Sequence, residues 1–182
     1  MKRLYLLRHA KSSWDPPNLE DHDRPLAPRG ERAATAMGAV LEGLSPRPAL
    51  VLCSTAVRAR QTYDLARHGL ADIPASAVLV EPDLYTFEAP ALRRRLQRLN
   101  DAVPSVLVIG HNPALEDLAR DLTRGDDGSA RKHLRRKFPT AALAALDLDV
   151  SRWADLAPGG ERGRVIEFIR PTDLESGPAA RP

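Results

Sequence analysis

The chain has 182 residues, which suits one domain with a single sizeable core. Hydrophobic residues make up 43% and charged residues 28%, and the formal charge of +3 indicates a weak attraction for anions without implying nucleic-acid binding. No stretch approaches the roughly 18 apolar residues of a membrane span, the apolar run near the start is too short for a signal peptide, and the single cysteine, Cys53, excludes an intramolecular disulfide. We therefore expect a cytoplasmic protein.

The first half of the chain alternates between predicted strands and helices. Residues 4–7 are a short apolar run bounded by charge, which is typical of a buried strand. A loop over residues 11–30 follows, and a helix should begin near Pro28 and end at Gly43. Residues 49–53 form the second predicted strand.

The same alternation continues to the end of the chain. We predict a helix that is capped by Ser54 and Thr55 and ends near Arg67, and then further elements at residues 78–80 (strand), 91–99 (helix), 105–109 (strand) and 113–122 (helix). Residues 141–148 and 164–169 are predicted as antiparallel neighbours. This pattern predicts a single three-layer α/β/α domain over residues 1–172 with a mostly parallel central sheet, and a flexible tail at residues 173–182.

Polar side chains follow three of the predicted strands. Arg8 and His9 end the first; Ser54 ends the second, with Arg58 one helical turn later; His111 and Asn112 follow the fourth. Ligands of such folds collect beyond the carboxyl ends of the strands, so we expect these groups to share one cleft.

The residue types at these strand ends suit phosphoryl transfer. Arg8 and Arg58 can clamp phosphoryl oxygens with their guanidinium forks, and a neutral His9 can accept a phosphoryl group. His111 lies beside a helix start, where an anion is favoured, and can stabilise transition-state charge. Asn112 can cap that helix and is also a candidate for binding substrate. Ser54 can contact phosphate, although capping the next helix is the role we favour for it.

Four motifs resemble those of the histidine phosphatase (phosphoglycerate-mutase-like) superfamily. They are LLRHAK at residues 6–11, with Ala10 in place of the usual glycine, DRPLAPRG at 23–30, STAVRARQT at 54–62 and IGHNP at 109–113. Within the superfamily, RHAKSSW, DHDRPL and the short chain are most similar to SixA-type phosphohistidine phosphatases. The resemblance implies a phosphoglycerate-mutase-like fold and a phosphatase that hydrolyses phosphohistidine on proteins through a covalent intermediate. It implies His9 as the acceptor, Arg8 and Arg58 as clamps, His111 as the second pocket histidine, and no metal or cofactor.

The general acid of larger family members has no certain counterpart here. Glu81, Asp83 and Glu88 are the candidates, in the segment EPDLYTFEAP. A phosphorylated imidazole leaves as neutral imidazole once its ring is protonated, so a weak or missing acid suits a P–N bond better than an alkyl ester. We also find no insertion long enough to form a lid between residues 81 and 105, and an open site would admit a phosphorylated side chain of another protein.

Several alternatives stay open at this point. The substrate is a phosphohistidine-bearing protein domain or, alternatively, a small phosphomonoester or nucleotide, and phosphate or sulfate is expected to occupy the site. A second alternative is a non-catalytic module that binds through its basic segments, such as residues 131–137, which otherwise form a solvated face or dock an acidic partner. Trp14 either rims the pocket or covers the core. We expect no membrane partner and no nucleic-acid partner.

Overall fold

A computed structural model describes residues 1–159 and 163–175 of the chain. The six strands of its sheet are β1 (Lys2–Arg8), β2 (Leu50–Ser54), β3 (Val78–Glu81), β4 (Ser105–Gly110), β5 (Leu143–Leu148) and β6 (Gly163–Ile169). The α-helices are α1 (Pro28–Glu42), α2 (Val57–Ala66), α3 (Ala89–Gln97), α4 (Ala114–Leu122), α5 (Ser129–Arg136) and α6 (Pro171–Glu175).

The strands lie in the order β3-β2-β4-β1-β5-β6. The first four strands of the chain are mutually parallel, whereas β5 runs antiparallel to β1 and β6 runs antiparallel to β5. The predicted α/β class with a mostly parallel sheet is therefore confirmed. Because β2, β4 and β1 are neighbours, their carboxyl ends meet at one edge of the sheet, and β5 begins at that same edge.

Two apolar layers sandwich the sheet. On one face, α1 and α2 pack Met37, Leu41 and other apolar side chains against strand residues such as Tyr5 and Leu107. On the other face, α3 and α4 pack a separate apolar cluster that includes Leu96 and Leu118. Every residue of β4 is buried, as a central parallel strand requires, so the sheet gives the site a rigid base.

Three local predictions need correction. The N-cap of α2 is Ala56, not Ser54 or Thr55, and α4 begins one residue later than predicted, with Pro113 as its N-cap and without a cap from Asn112. Helix α5 covers most of the basic segment at residues 131–137, for which no helix was predicted. Its one buried residue is Leu134, so it lacks the repeating apolar positions by which helices are recognised in a sequence.

The predicted tail extends past the described part of the chain. Residues 173–175 lie in α6, and residues 176–182 lie outside the described residues, so the flexible tail stays a prediction. Within residues 1–159 and 163–175, no helix has the length and apolar character that crossing a membrane needs.

Candidate active site

The backbone after β1 holds His9 at the carboxyl edge of the sheet. Its N–H donates to the Gly110 carbonyl of the neighbouring strand at 3.0 Å, and the Ala10 N–H donates to Thr62 Oγ1 at 2.9 Å. The His9 ring is 2.7 Å from the Ala10 carbonyl through Nδ1. A carbonyl oxygen only accepts, so Nδ1 carries the proton and Nε2 carries the free electron pair.

The His9 ring is neutral at physiological pH. Burial lowers the pKa of His9 to about 4 despite the opposing hydrogen bond to Ala10, and the positive charges of Arg58, Arg8 and Arg24 act in the same direction as burial. A neutral imidazole with a free Nε2 is the form that attacks an electrophile.

Arg58 reaches the same point from the first turn of α2. It is 3% exposed, its Nε donates to His9 Nε2 at 3.3 Å, and one terminal nitrogen lies 3.4 Å from His111 Nδ1. Asp21 also holds the guanidinium: its Oδ2 accepts from the same terminal nitrogen at 2.9 Å, and its backbone carbonyl accepts from the other terminal nitrogen. The cation is therefore fixed between the two histidines.

His111 follows β4 and lies against His9, with 5.1 Å between the ring centroids. Because Arg58 can only donate to Nδ1, the proton of His111 lies on Nε2, which donates to Ser54 Oγ at 2.8 Å. Burial, then His9 and Arg58, lower the pKa of His111 to about 3. Ser54 is fully buried behind this ring and accepts the Ala56 N–H at 3.2 Å. The Ser54 hydroxyl therefore holds His111 in this structure, and contact between Ser54 and substrate stays a prediction.

Arg8 and Asn112 lie on the β5 side of the cleft. Arg8 donates to the Phe138 carbonyl at 2.8 Å, and Asn112 Nδ2 donates to the same carbonyl at 3.0 Å and to Glu116 at 2.9 Å. Ala141, with φ of 60°, donates its N–H to the Arg8 and His9 carbonyls at 3.1 Å each. The segment before β5 therefore fixes the backbone that presents Arg8 and His9.

These side chains surround a cleft with a volume of about 600 Å³. Arg8, His9, Arg58 and Asn112 line it, with His111 in contact with His9. Trp14 also lines the cleft while remaining 71% exposed, and the Arg24 guanidinium lies 3.4 Å from its ring centroid. Of the two interpretations of Trp14, the structure favours the rim.

Sequence reasoning missed Asp21 and Tyr85. Asp21 accepts hydrogen bonds from Tyr85 at 2.7 Å, from Arg58 at 2.9 Å and from Arg24 at 2.9 Å. Burial alone would raise the pKa of Asp21, but these hydrogen bonds outweigh it and lower the pKa to about 2. Two features of the sequence could have indicated these residues: the charged run DHDR, which contains Asp21, and the tyrosine of EPDLYTFEAP. In that second segment the sequence analysis considered only the carboxylates, as candidates for the general acid.

None of the three candidate acids lines the cleft, and the assignment of a general acid among them stays a prediction. Glu81 forms a two-point ion pair with Arg95 at 2.6 and 2.8 Å, which lowers the pKa of Glu81. Asp83 lies in the 3₁₀ turn Pro82–Leu84, and Glu88 lines a different groove beside α3.

Cys53, the single cysteine of the sequence, takes no part in the site. Cys53 is fully buried on β2, and burial raises the pKa of its thiol to about 12. Within residues 1–159 and 163–175, no cluster of three or more His, Cys, Asp or Glu side chains is placed to hold a metal ion.

Comparisons with known proteins identify the family of the chain. The model of the histidine phosphatase superfamily (branch 1) matches residues 4–102. An uncharacterized protein of Mycobacterium tuberculosis is 41% identical over 155 residues, which cover 84% of this chain and 93% of that protein.

Solved structures extend the likeness over nearly the whole chain. A structure from Nakamurella multipartitia that carries the name SixA has a TM-score of 0.77 and 31% identity, and covers 93% of this chain and 96% of that one. The protein histidine phosphatase SixA complexed with tungstate has a TM-score of 0.72 and 27% identity, and covers 94% of this chain and 99% of that one. The chain therefore belongs to the histidine phosphatase superfamily and is a phosphatase of that family.

Proposed function

We propose that this phosphatase removes phosphoryl groups from phosphohistidine on other proteins, through a covalent intermediate on His9. The proposal rests on the protonation state and the position of the carboxylic acids around the cleft. Asp21 has a pKa near 2 and is ionised, and Glu81, Asp83 and Glu88 do not line the cleft. A substrate whose leaving group brings its own proton suits such a site.

His9 is suited to the first step. Its Nε2 lone pair attacks phosphorus, a P–Nε2 bond forms, and the P–N bond to the substrate imidazole breaks. The leaving imidazole departs neutral because the phosphorylated ring first takes up a proton from solvent on its other nitrogen. The hydrogen bond from Nδ1 to the Ala10 carbonyl fixes the tautomer and stabilises the positive charge that develops on the ring.

The cations around His9 are suited to the transferred group. Charge builds on the phosphoryl oxygens in the transition state, and fixed donors that need no rearrangement stabilise it. Arg58 and Arg8 flank His9, and an arriving phosphoryl oxygen would take over the Arg58 donor that now contacts Nε2. His111 Nδ1 can add a donor once it takes up a proton, which a bound dianion favours by opposing the effect of Arg58.

The second step returns His9 to its starting form. Water attacks phosphorus, the P–Nε2 bond breaks, and inorganic phosphate leaves with the protons of that water shared between phosphate and solvent. The Tyr85 hydroxyl is a poor acid for either step. Burial and Asp21 raise the pKa of Tyr85, and its proton is already donated to Asp21. The likeness to structures named SixA, one of them with tungstate bound, supports both an oxyanion site and this substrate class.

Leaving-group dependence tests the proposal. With phosphohistidine, phosphoramidate and an alkyl phosphate as substrates, we expect kcat for the two P–N compounds to exceed that for the alkyl ester by at least about a hundredfold, since general acid catalysis contributes that much where it exists. Alkaline quench during turnover of radiolabelled phosphohistidine should trap label on His9, because the P–N bond survives base, and His9→Ala should remove both label and turnover. Equal or faster hydrolysis of the alkyl phosphate would favour a small phosphomonoester as substrate.

A further inference from the structure

A strongly cationic groove continues from the catalytic cleft. Its five positive residues are Arg8, Lys11, Arg29, Arg32 and Lys137, its volume is about 820 Å³, and no carboxylate lines it among the side chains that the structure describes. We call it the basic groove. Arg8, Lys11 and Thr140 line both the basic groove and the cleft, so the two form one continuous surface.

The charge of the basic groove is not neutralised within the described part of the chain. Lys11, Arg29, Arg32 and Lys137 form none of the ion pairs found there, whereas arginines in other regions do. In the separate groove beside α3, for example, Arg93 and Arg124 pair with Asp121, and Arg120 pairs with Glu116. The positive potential of the basic groove is therefore available to an incoming anionic partner.

The surface between these cations combines apolar side chains with two threonines, Thr140 and Thr172. Ala33, Ala36, Pro139, Pro171 and the 37% exposed Leu174 lie among the cations. A chain of phosphates would gain nothing from such contacts, while a protein segment with acidic and apolar side chains would gain from both. Charge complementarity and apolar contact thus point to the same kind of partner.

We infer that the basic groove binds an acidic segment of the phosphoprotein, next to the phosphohistidine that enters the cleft. This inference rests on the proposed function and deepens it by naming the surface that recognises the partner. Rim charges of this kind act mainly on the association rate and on selectivity. The effect should therefore appear in kcat/KM for a macromolecular substrate and not in the chemistry at His9.

Two peptides test the inference. Each carries one phosphohistidine, made with potassium phosphoramidate, and the flanking residues are glutamates in one and glutamines in the other. At low ionic strength we expect the wild type to prefer the glutamate peptide by about tenfold in kcat/KM, and the preference should shrink at high ionic strength. In R29E/R32E the preference should disappear, while kcat/KM for free phosphoramidate should stay unchanged.

A matched variant controls for net charge. R94E/R98E reverses two exposed arginines on and just after α3, outside the basic groove, and should keep the glutamate preference. Folding is not at risk in R29E/R32E, because Arg29 and Arg32 are exposed in the first turns of α1, where carboxylates favour the helix dipole.

The outcomes separate the two proposals. Equal turnover of both peptides by the wild type, or an unchanged preference in R29E/R32E, would overturn the groove inference and leave the phosphohistidine phosphatase standing. Hydrolysis of small esters without release of phosphate from either peptide would overturn the proposed function and the inference with it. If tripolyphosphate inhibits the wild type far more than R29E/R32E and the peptides show no difference, the groove binds a phosphate chain and the inference is wrong.

Discussion

The Asp21 carboxylate has the central structural role among the side chains that hold Arg58. Arg58 is almost fully buried, and Asp21 is the carboxylate that pairs with it in the described part of the chain. The same carboxylate also accepts hydrogen bonds from Tyr85 and Arg24. One residue therefore links the loop after β1, the turn after β3 and the first turn of α2. Asp21 is therefore a positioning residue whose charge keeps Arg58 directed at His9.

Asp21→Asn should lower kcat/KM for phosphoramidate by about tenfold, because an amide cannot hold the guanidinium as a carboxylate does and about 1.4 kcal/mol of transition-state stabilisation is lost. Steady-state kinetics measures this. Asp23→Asn is the matched control, since Asp23 contacts His22 and not Arg58. Unchanged kinetics in Asp21→Asn would show that Arg58 holds its position without the carboxylate.

At the scale of elements, α1 packs unusually closely on the loop after β1. The Ala27 N–H donates to the Lys11 carbonyl at 2.8 Å, and a Cβ built on Gly30 would lie 2.1 Å from that carbonyl oxygen. Lys11 is two residues from His9, so this contact fixes the loop that presents the nucleophile. The glycine in DRPLAPRG is explained by this close approach of two backbones.

Gly30→Ala should separate α1 from the Lys11 loop. We expect it to destabilise the fold by about 1–3 kcal/mol, as overpacking does, and to lower kcat/KM as the loop moves. Gly43→Ala, at the other end of α1, is the control: its φ is −78° and a Cβ there would meet nothing closer than 3.6 Å, so stability should stay the same or rise slightly. Thermal unfolding and kinetics measured on both variants check this, and equal behaviour would contradict the packing argument.

The elements that could be predicted are those marked by a pattern of neighbouring residues in the sequence. The ends of β1, β2 and β4 were predictable, because apolar runs mark parallel strands and parallel strands deliver Arg8, Ser54 and His111 to one edge. The hydrogen bond from Arg8 to the Phe138 carbonyl was not predictable. It forms because β5 runs antiparallel, so that the beginning of β5 reaches the same edge of the sheet. Asp21 and Tyr85 reach the site through loops, whose path is set by tertiary contacts and leaves no periodic trace in the sequence.

At the scale of the whole molecule, the two cleft histidines link stability to pH. An unfolded histidine has a pKa near 6.5, whereas the pKa values of His9 and His111 in the folded protein are about 4 and about 3. Between these values the unfolded chain binds more protons than the folded one, so the free energy of unfolding falls as the pH falls. Asp21 adds a further loss at lower pH, between its unfolded pKa and about 2.

We expect the Tm to fall by at least about 5 °C between pH 7 and pH 4.5 in a buffer without phosphate. His9→Gln should make this fall smaller, because one buried group that resists protonation is gone. His133→Gln changes an exposed histidine of α5 and serves as the control. Identical pH profiles for the wild type and His9→Gln would contradict the linkage.

The position of Cys53 has a consequence for how this chemistry responds to oxidants. Thiol-dependent phosphatases lose activity when peroxide or an alkylating agent reaches their exposed thiolate. The sulfur here is enclosed in the apolar layer between the sheet and helices α1 and α2 with a pKa near 12, and an imidazole takes the place of a thiolate as nucleophile. Dephosphorylation by this chain should therefore persist under oxidative stress that silences thiol-based enzymes.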